Sequence, residues 1–89
     1  MLVRWTGLAA RDLSNIARHI RKDNPGAAPR VAKTLYDRGM SLDILPHRGR
    51  PGRIPGTREL ISVPYIIVYR VKPEAVEILR IYHAAQDWP

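Results

Sequence analysis

Tyr65-Ile66-Ile67-Val68-Tyr69-Arg70-Val71 is apolar on both of its alternating sets until Arg70 interrupts one of them. A strand with one solvated face would alternate apolar with polar, so this pattern predicts a central strand covered on both sides. Its β-branched and aromatic composition also favours a pleated backbone. Arg58–Val63 precedes it, and Val76–His83 follows across Lys72-Pro73-Glu74-Ala75, a stretch short enough for a hairpin connection. Three consecutive antiparallel strands are therefore predicted. Strict alternation divides the last into Val76, Ile78, Arg80 and Tyr82 on one side and Glu77, Leu79, Ile81 and His83 on the other. One face of the sheet should take helices, leaving the other as a shallow groove that presents side chains to a partner.

Working back from the sheet, Pro46–Thr57 contains six Pro and Gly, three arginines and no acid, and is expected to be irregular. Before it, Ala28, Val31, Ala32, Leu35, Leu42 and Leu45 fall on one face of a helix, with Gly39 weakening its middle. Asn24 is a good N-cap and Pro25 suits the first helical position, so Asp23-Asn24-Pro25 should stop one helix and start the next. The preceding helix, Leu8–Lys22, repeats Ala9, Leu13, Ile16, Ala17 and Ile20 at three- and four-residue steps, while Arg11, Arg18, Arg21 and Lys22 lie elsewhere on the wheel. Leu2–Trp5 reads as an opening strand, with Thr6 as N-cap of the helix. The order β-α-α-β-β-β gives an α+β fold: a helical hairpin packed on one face of a small, mostly antiparallel sheet. Residues 1–89 are expected to form a single domain, since so short a chain supports only one thin core.

The chain has no cysteine, which excludes a disulfide framework and a thiolate zinc site. His19, His47 and His83 are too scattered for a metal site, and neither metal nor cofactor is expected. No apolar run approaches the length of a membrane span, and Arg4 and Asp12 interrupt the stretch where a signal peptide needs an apolar core, so the expected location is the cytoplasm. Fifteen Lys+Arg against eight Asp+Glu give a formal charge of +7. That balance favours polyanionic partners, nucleic acid or an acidic protein, and plain solubility charge is the alternative that composition leaves open.

Several short patterns in this order carry a resemblance. Trp5-Thr6 stands with Ala10 and Asp12-Leu13, then Asp23-Asn24-Pro25 with Ala27-Ala28. Gly49-Arg-Pro-Gly-Arg53, Gly56-Thr-Arg-Glu-Leu60 and Pro64-Tyr-Ile-Ile-Val-Tyr-Arg70 follow, and His83 stands ahead of Gln86 and Trp88-Pro89. Together they span essentially the whole chain, which resembles the RelE/ParE superfamily of toxins from type II toxin–antitoxin modules. The resemblance implies a growth-arresting toxin neutralised by a cognate antitoxin whose acidic or amphipathic segment folds onto it.

Two activities occur in that superfamily, and fold does not choose between them. One branch cleaves messenger RNA in the ribosome; the other poisons DNA gyrase and is not a nuclease. Cleavage by 2′-hydroxyl attack needs a proton acceptor, a cation for the phosphorane and an acid for the leaving oxygen. His83, Arg58 and Arg80 would be the catalytic set, with Arg70 as a further phosphate binder. The strongly nucleolytic relatives, however, carry a basic residue where this chain has Ile66. That departure favours the gyrase branch, with an mRNA endoribonuclease as the alternative and a general nucleic-acid-binding domain as a third reading of the charge.

Each candidate also has a structural reading. His83 could cap the sheet or bond the C-terminal tail, and Arg58 could pair with Glu59. Tyr65 and Tyr69 suit packing more than base stacking, and the basic side of the first helix suits solvated surface. Arg48, Arg50 and Arg53, three cations without a countercharge on a Gly/Pro-rich loop, are the strongest candidates for target binding, together with Arg70.

Overall fold

In the computed structural model, which describes Met1–Pro89, the chain runs β1 (Leu2–Trp5), α1 (Gly7–Asp23), α2 (Ala27–Met40), a 3-10 turn (Ser41–Asp43), β2 (Arg50–Pro51), β3 (Arg58–Ser62), β4 (Tyr65–Val71) and β5 (Ala75–His83). The five strands form one sheet in the order β1-β5-β4-β3-β2. β1 lies parallel to β5 and every other pairing is antiparallel. The α+β fold with a helical hairpin on a mostly antiparallel sheet is as the hydrophobic pattern predicts.

β4 is central and covered on both faces. Ile67 and Tyr69 join Leu60, Val76, Ile78 and Ile81 in the main core against Ala9, Leu35 and Leu42 from the helical layer. Ile66 and Val68 join Tyr82 in a smaller cluster on the opposite, outer face, where Leu79 and Trp88 pack. Strict alternation along β5 does not hold. Val68 pairs with Arg80 but Tyr69 pairs with Ile78, which leaves Leu79 as an unpaired bulge residue. The extra residue resets the pleat, so Val76, Ile78 and Ile81 share the helical face while Leu79 and Tyr82 turn outward.

Thr6 opens α1: its hydroxyl accepts the Ala9 N–H at 3.2 Å and donates to the Ile78 carbonyl at 2.9 Å, tying the cap to β5. At the other end the Asn24 N–H donates to Ile20 O, and the Asn24 side chain accepts the Ala27 N–H at 3.2 Å. One asparagine therefore closes α1 and accepts the first amide of α2. Pro25 and Gly26 form the turn between them, so α2 starts two residues later than a helix with Pro25 in its first position.

The apolar face of α2 also stops earlier than its spacing suggests. Leu42 is fully buried, but Ile44 and Leu45 are 79% and 57% exposed because the chain leaves the helix axis after Met40. Gly39 serves packing here, not flexibility. A Cβ there would lie 2.7 Å from Ile78 Cδ1 and 2.8 Å from Trp5, so only glycine lets the helix end approach β1 and β5 this closely.

The Gly/Pro-rich segment is not wholly irregular. Arg50 and Pro51 pair with Glu59 and Arg58 as a two-residue edge strand. Proline is tolerated there because an edge strand bonds on one side only. No helix is long and apolar enough to cross a membrane.

Candidate functional site

β1 pairs with β5 only from Ala75 to Ile78, so the remainder of that β5 edge has no strand partner. α1 supplies the missing acceptor. Asp12 Oδ2 accepts the Ile81 N–H at 2.9 Å and Arg80 Nε at 2.8 Å, while Oδ1 accepts Arg80 Nη2 at 3.1 Å. The fork on Asp12 holds the Arg80 guanidinium above its ordinary pKa range. Arg80 also lies over the Trp88 ring, 5.3 Å from its centroid.

Arg80 and His83 line one groove of about 460 Å³, together with Asp12, Tyr65 and Trp88. His83 stands opposite Tyr65, their rings edge-on at 5.5 Å. Its Nδ1 accepts the Ala85 N–H at 3.0 Å, and its backbone N–H donates to Gln86 Oε1 at 2.7 Å. Because a backbone amide can only donate, Nδ1 is the acceptor and the neutral ring carries its proton on Nε2. The histidine ties down the segment that follows β5. In this tautomer its Nε2 can donate a hydrogen bond but not accept one.

Arg58 stands elsewhere. Its Nη1 donates to Gly49 O at 2.7 Å and His47 O at 3.2 Å, fixing the loop. It faces Tyr69, four positions along β4 from the Tyr65–His83 pair and on the other neighbouring strand. Strand geometry puts that separation at about 16 Å. Arg80 and His83 thus share a groove that Arg58 does not line.

Of the three loop cations, Arg50 does have a countercharge. Glu59, only 2% exposed, accepts Arg50 Nε and Nη2 on Oε1 at 3.1 and 2.9 Å, and the Arg53 backbone N–H on Oε2 at 3.2 Å. Arg50 and Glu59 are cross-strand partners, so their side chains share a face, whereas Arg58, one residue earlier, points to the other. The acid beside Arg58 in sequence therefore pairs with Arg50. Arg53 Nη1 reaches the Trp88 carbonyl at 2.5 Å, and Arg48 Nη1 donates to Ser41 Oγ at 2.9 Å. Arg70 donates to Glu77 Oε1 at 2.7 Å; that hydrogen bond, assisted by the charges of Lys72 and Arg4, holds the Glu77 carboxyl below its ordinary range.

Trp88, which the sequence pattern marked only as part of a resemblance, covers the outer face. It stacks on Tyr82 at 5.0 Å between ring centroids, held between Arg53 and Arg80. The Tyr82 hydroxyl beneath it is buried with no hydrogen-bond partner. Burial, reinforced by the charge of Glu59, pushes its pKa up against the opposing effect of Arg53 and Arg50. A second groove, of about 550 Å³, runs between the helical hairpin and the β3–β4 turn, lined by Ile20, Val31, Leu35, Val63 and Tyr65 with Arg30 at its side. Val63 there is 86% exposed, an apolar side chain that the strand pattern alone would have placed in the sheet.

The arrangement matches a known family. A model of the ParE toxin of the type II toxin–antitoxin system parDE fits residues 3–88. The chain belongs to the ParE toxin family. The toxin is 48% identical to the Y4kP protein of Sinorhizobium fredii over 92 residues, covering 98% of this chain and 92% of that one. It is 42% identical to toxin RelE2 of Caulobacter vibrioides over 83 residues, covering 92% and 93%. Its fold superposes on a chain of the chromosomal ParDE toxin–antitoxin system of P. aeruginosa with a TM-score of 0.87 at 31% identity, covering 93% of this chain and 95% of the other. A chain of the RelBE2 toxin–antitoxin complex of Mycobacterium tuberculosis gives 0.72 at 30% identity, covering 92% and 95%. The relatives carry both branch names of the RelE/ParE superfamily, to which the toxin belongs.

Proposed function

We propose that this toxin arrests growth by binding DNA gyrase, without cleaving RNA, and that a cognate antitoxin neutralises it. One observation carries the choice of target: the groups a ribonuclease would need are committed to the fold and divided between two places. Arg80 is forked on Asp12, Arg58 is bound to loop carbonyls, and His83 has its Nδ1 occupied by a backbone amide. Ile66, where the nucleolytic relatives carry a basic residue, is 4% exposed in the apolar outer cluster. A cation there would face Val68 and Tyr82. Arg48, Arg50, Arg53 and Arg70 remain exposed despite their internal bonds and present charge to the target.

For the antitoxin, the groove beside Val63 suits an amphipathic acidic segment that buries Ile20 and Val31 and meets Arg30. Purified toxin should block DNA supercoiling by gyrase, with inhibition relieved by the antitoxin. Full gyrase activity at saturating toxin would overturn this reading, and messenger cleavage in a translating extract would establish the endoribonuclease instead.

A further inference from the structure

Fifteen cations and eight acids leave a surplus whose location only the structure gives. Arg4, Lys33, Arg50, Arg70, Lys72 and Arg80 are in ion pairs. Arg38, Arg48, Arg53 and Arg58 donate to backbone or hydroxyl oxygens. The remaining five all lie on the helical hairpin: Arg11, Arg18, Arg21, Lys22 and Arg30. Every one is exposed, and the only side-chain bond among them is a 3.4 Å contact from Arg18 to Asn15. The loop and sheet hold most of the arginines, and each of those has a side-chain hydrogen bond or an ion pair.

At 3.6 residues per turn, Arg11, Arg18 and Lys22 fall within about 20° of one line along α1, spaced by about 10 Å and about 6 Å. That line points away from the buried side, where Ala9, Leu13 and Ile16 pack into the core. Between the cations stand Ser14 and Asn15, both exposed and polar. The nearby acids do not neutralise the row. Asp12 is turned to Arg80, and Asp23 lies about 100° round the helix from Lys22.

We propose that this row on α1 binds the phosphate backbone of duplex DNA, independently of base sequence. A protein partner would need apolar or aromatic anchors at the centre of its interface, and the row has none. Single-stranded nucleic acid is held by aromatic side chains on which bases stack, and these too are missing from it. A straight, convex row of cations with short polar side chains between them suits a rigid rod of phosphates, which asks only for charge at the right spacing. The inference is independent of gyrase, since it concerns a surface on the opposite side of the helical layer from the sheet.

The test is fluorescence anisotropy of a labelled 25-base-pair duplex titrated with purified toxin over a series of salt concentrations. Arg11→Gln, Arg18→Gln and Lys22→Gln are combined in one variant, because glutamine keeps helix propensity at exposed positions. A second variant combines Arg4→Gln, Lys33→Gln and Lys72→Gln, removing the same charge from cations already paired. Circular dichroism checks that both fold. With three phosphates engaged, the first variant should lose about 2.7 from the slope of log affinity against log salt, at about 0.9 per phosphate, while the second stays close to the parent. Equal losses in both variants would reduce the effect to net charge and overturn the proposal. So would an absence of binding by the parent at 50 mM salt, or tighter binding to a single-stranded RNA of the same length.

Discussion

Asp12 and Arg80, 68 positions apart in sequence, meet in a two-pronged ion pair that also closes the open edge of the sheet. The same carboxylate accepts the Ile81 N–H, which has no strand partner. Asp12→Ala would break the pair and leave that partly buried amide unsatisfied, at a cost of about 2–3 kcal/mol. Asp12→Asn keeps an acceptor for Ile81 and should lose roughly half as much. Urea unfolding measures both, and equal stability of the two variants would remove the amide from the account.

Two buried tyrosines should answer the same substitution with opposite signs. The Tyr69 hydroxyl accepts the Gly49 N–H at 2.9 Å and donates to Pro46 O at 2.8 Å, so Tyr69→Phe orphans two groups and should cost about 1–3 kcal/mol. The Tyr82 hydroxyl has no partner, so Tyr82→Phe should be neutral or stabilise by up to about 1 kcal/mol. The pH dependence separates them further. Because the folded state raises the Tyr82 pKa, its neutral form supports the fold at all pH values below the ordinary phenol range, and that support is lost as pH rises through the folded value. Tyr82→Phe should therefore flatten the alkaline limb of the stability profile.

Glu77 gives the acid counterpart. Its lowered pKa means that its contribution is present above the ordinary carboxylate range and lost as pH falls through the folded value. Arg70→Gln removes the largest cause of that shift. The Glu77 titration followed by NMR should then move upward toward an ordinary glutamate, and an unchanged midpoint would assign the shift to Lys72 and Arg4.

These contacts mark what a linear pattern can and cannot carry. The central strand, the helical hairpin and the order of elements are legible because burial follows period 2 and period 3.6 over whole segments, as with Ile67 against Val68 and Ala9 against Leu13. The bulge at Leu79 is not, since one unpaired residue changes every later side chain's face without altering composition. The end of α2 at Met40 depends on how closely Gly39 meets Trp5 and Ile78, a fact of the opposing elements. Partner choice among charges is hidden for the same reason. Arg58 adjoins Glu59 in sequence, yet cross-strand register gives that acid to Arg50. Arg50 therefore looks uncompensated and is paired, while the arginines of the first helix look ordinary and have no acid partner.

Trp88 should act as a cover for the outer face. It stacks on Tyr82 and is held by Arg53 and Arg80, so Trp88→Ala would expose Ile66, Val68 and Tyr82 on one side of the sheet. The expected loss is about 1–3 kcal/mol, with a gain in binding of a hydrophobic dye. In a Trp5→Phe background the emission of Trp88 reports the cover directly. Arg53→Ala should shift that emission to the red while the helical signal stays constant.

His83 decides between a binding toxin and a nuclease. With Nδ1 accepting the Ala85 N–H, the ring's remaining nitrogen is a donor, so a role as base would require the ring to give up the bond that orders the segment after β5. If the toxin acts by binding gyrase, His83→Ala loosens that segment and costs about 0.5–1.5 kcal/mol of stability without abolishing growth arrest. If it cleaves RNA through this residue, the same substitution should abolish arrest while His83→Gln, which can still accept the amide, fails to restore it. Growth after induction, measured beside the thermal stability of each variant, separates the two: arrest that follows stability supports the binding toxin, and arrest lost in a stable His83→Gln variant restores the nuclease.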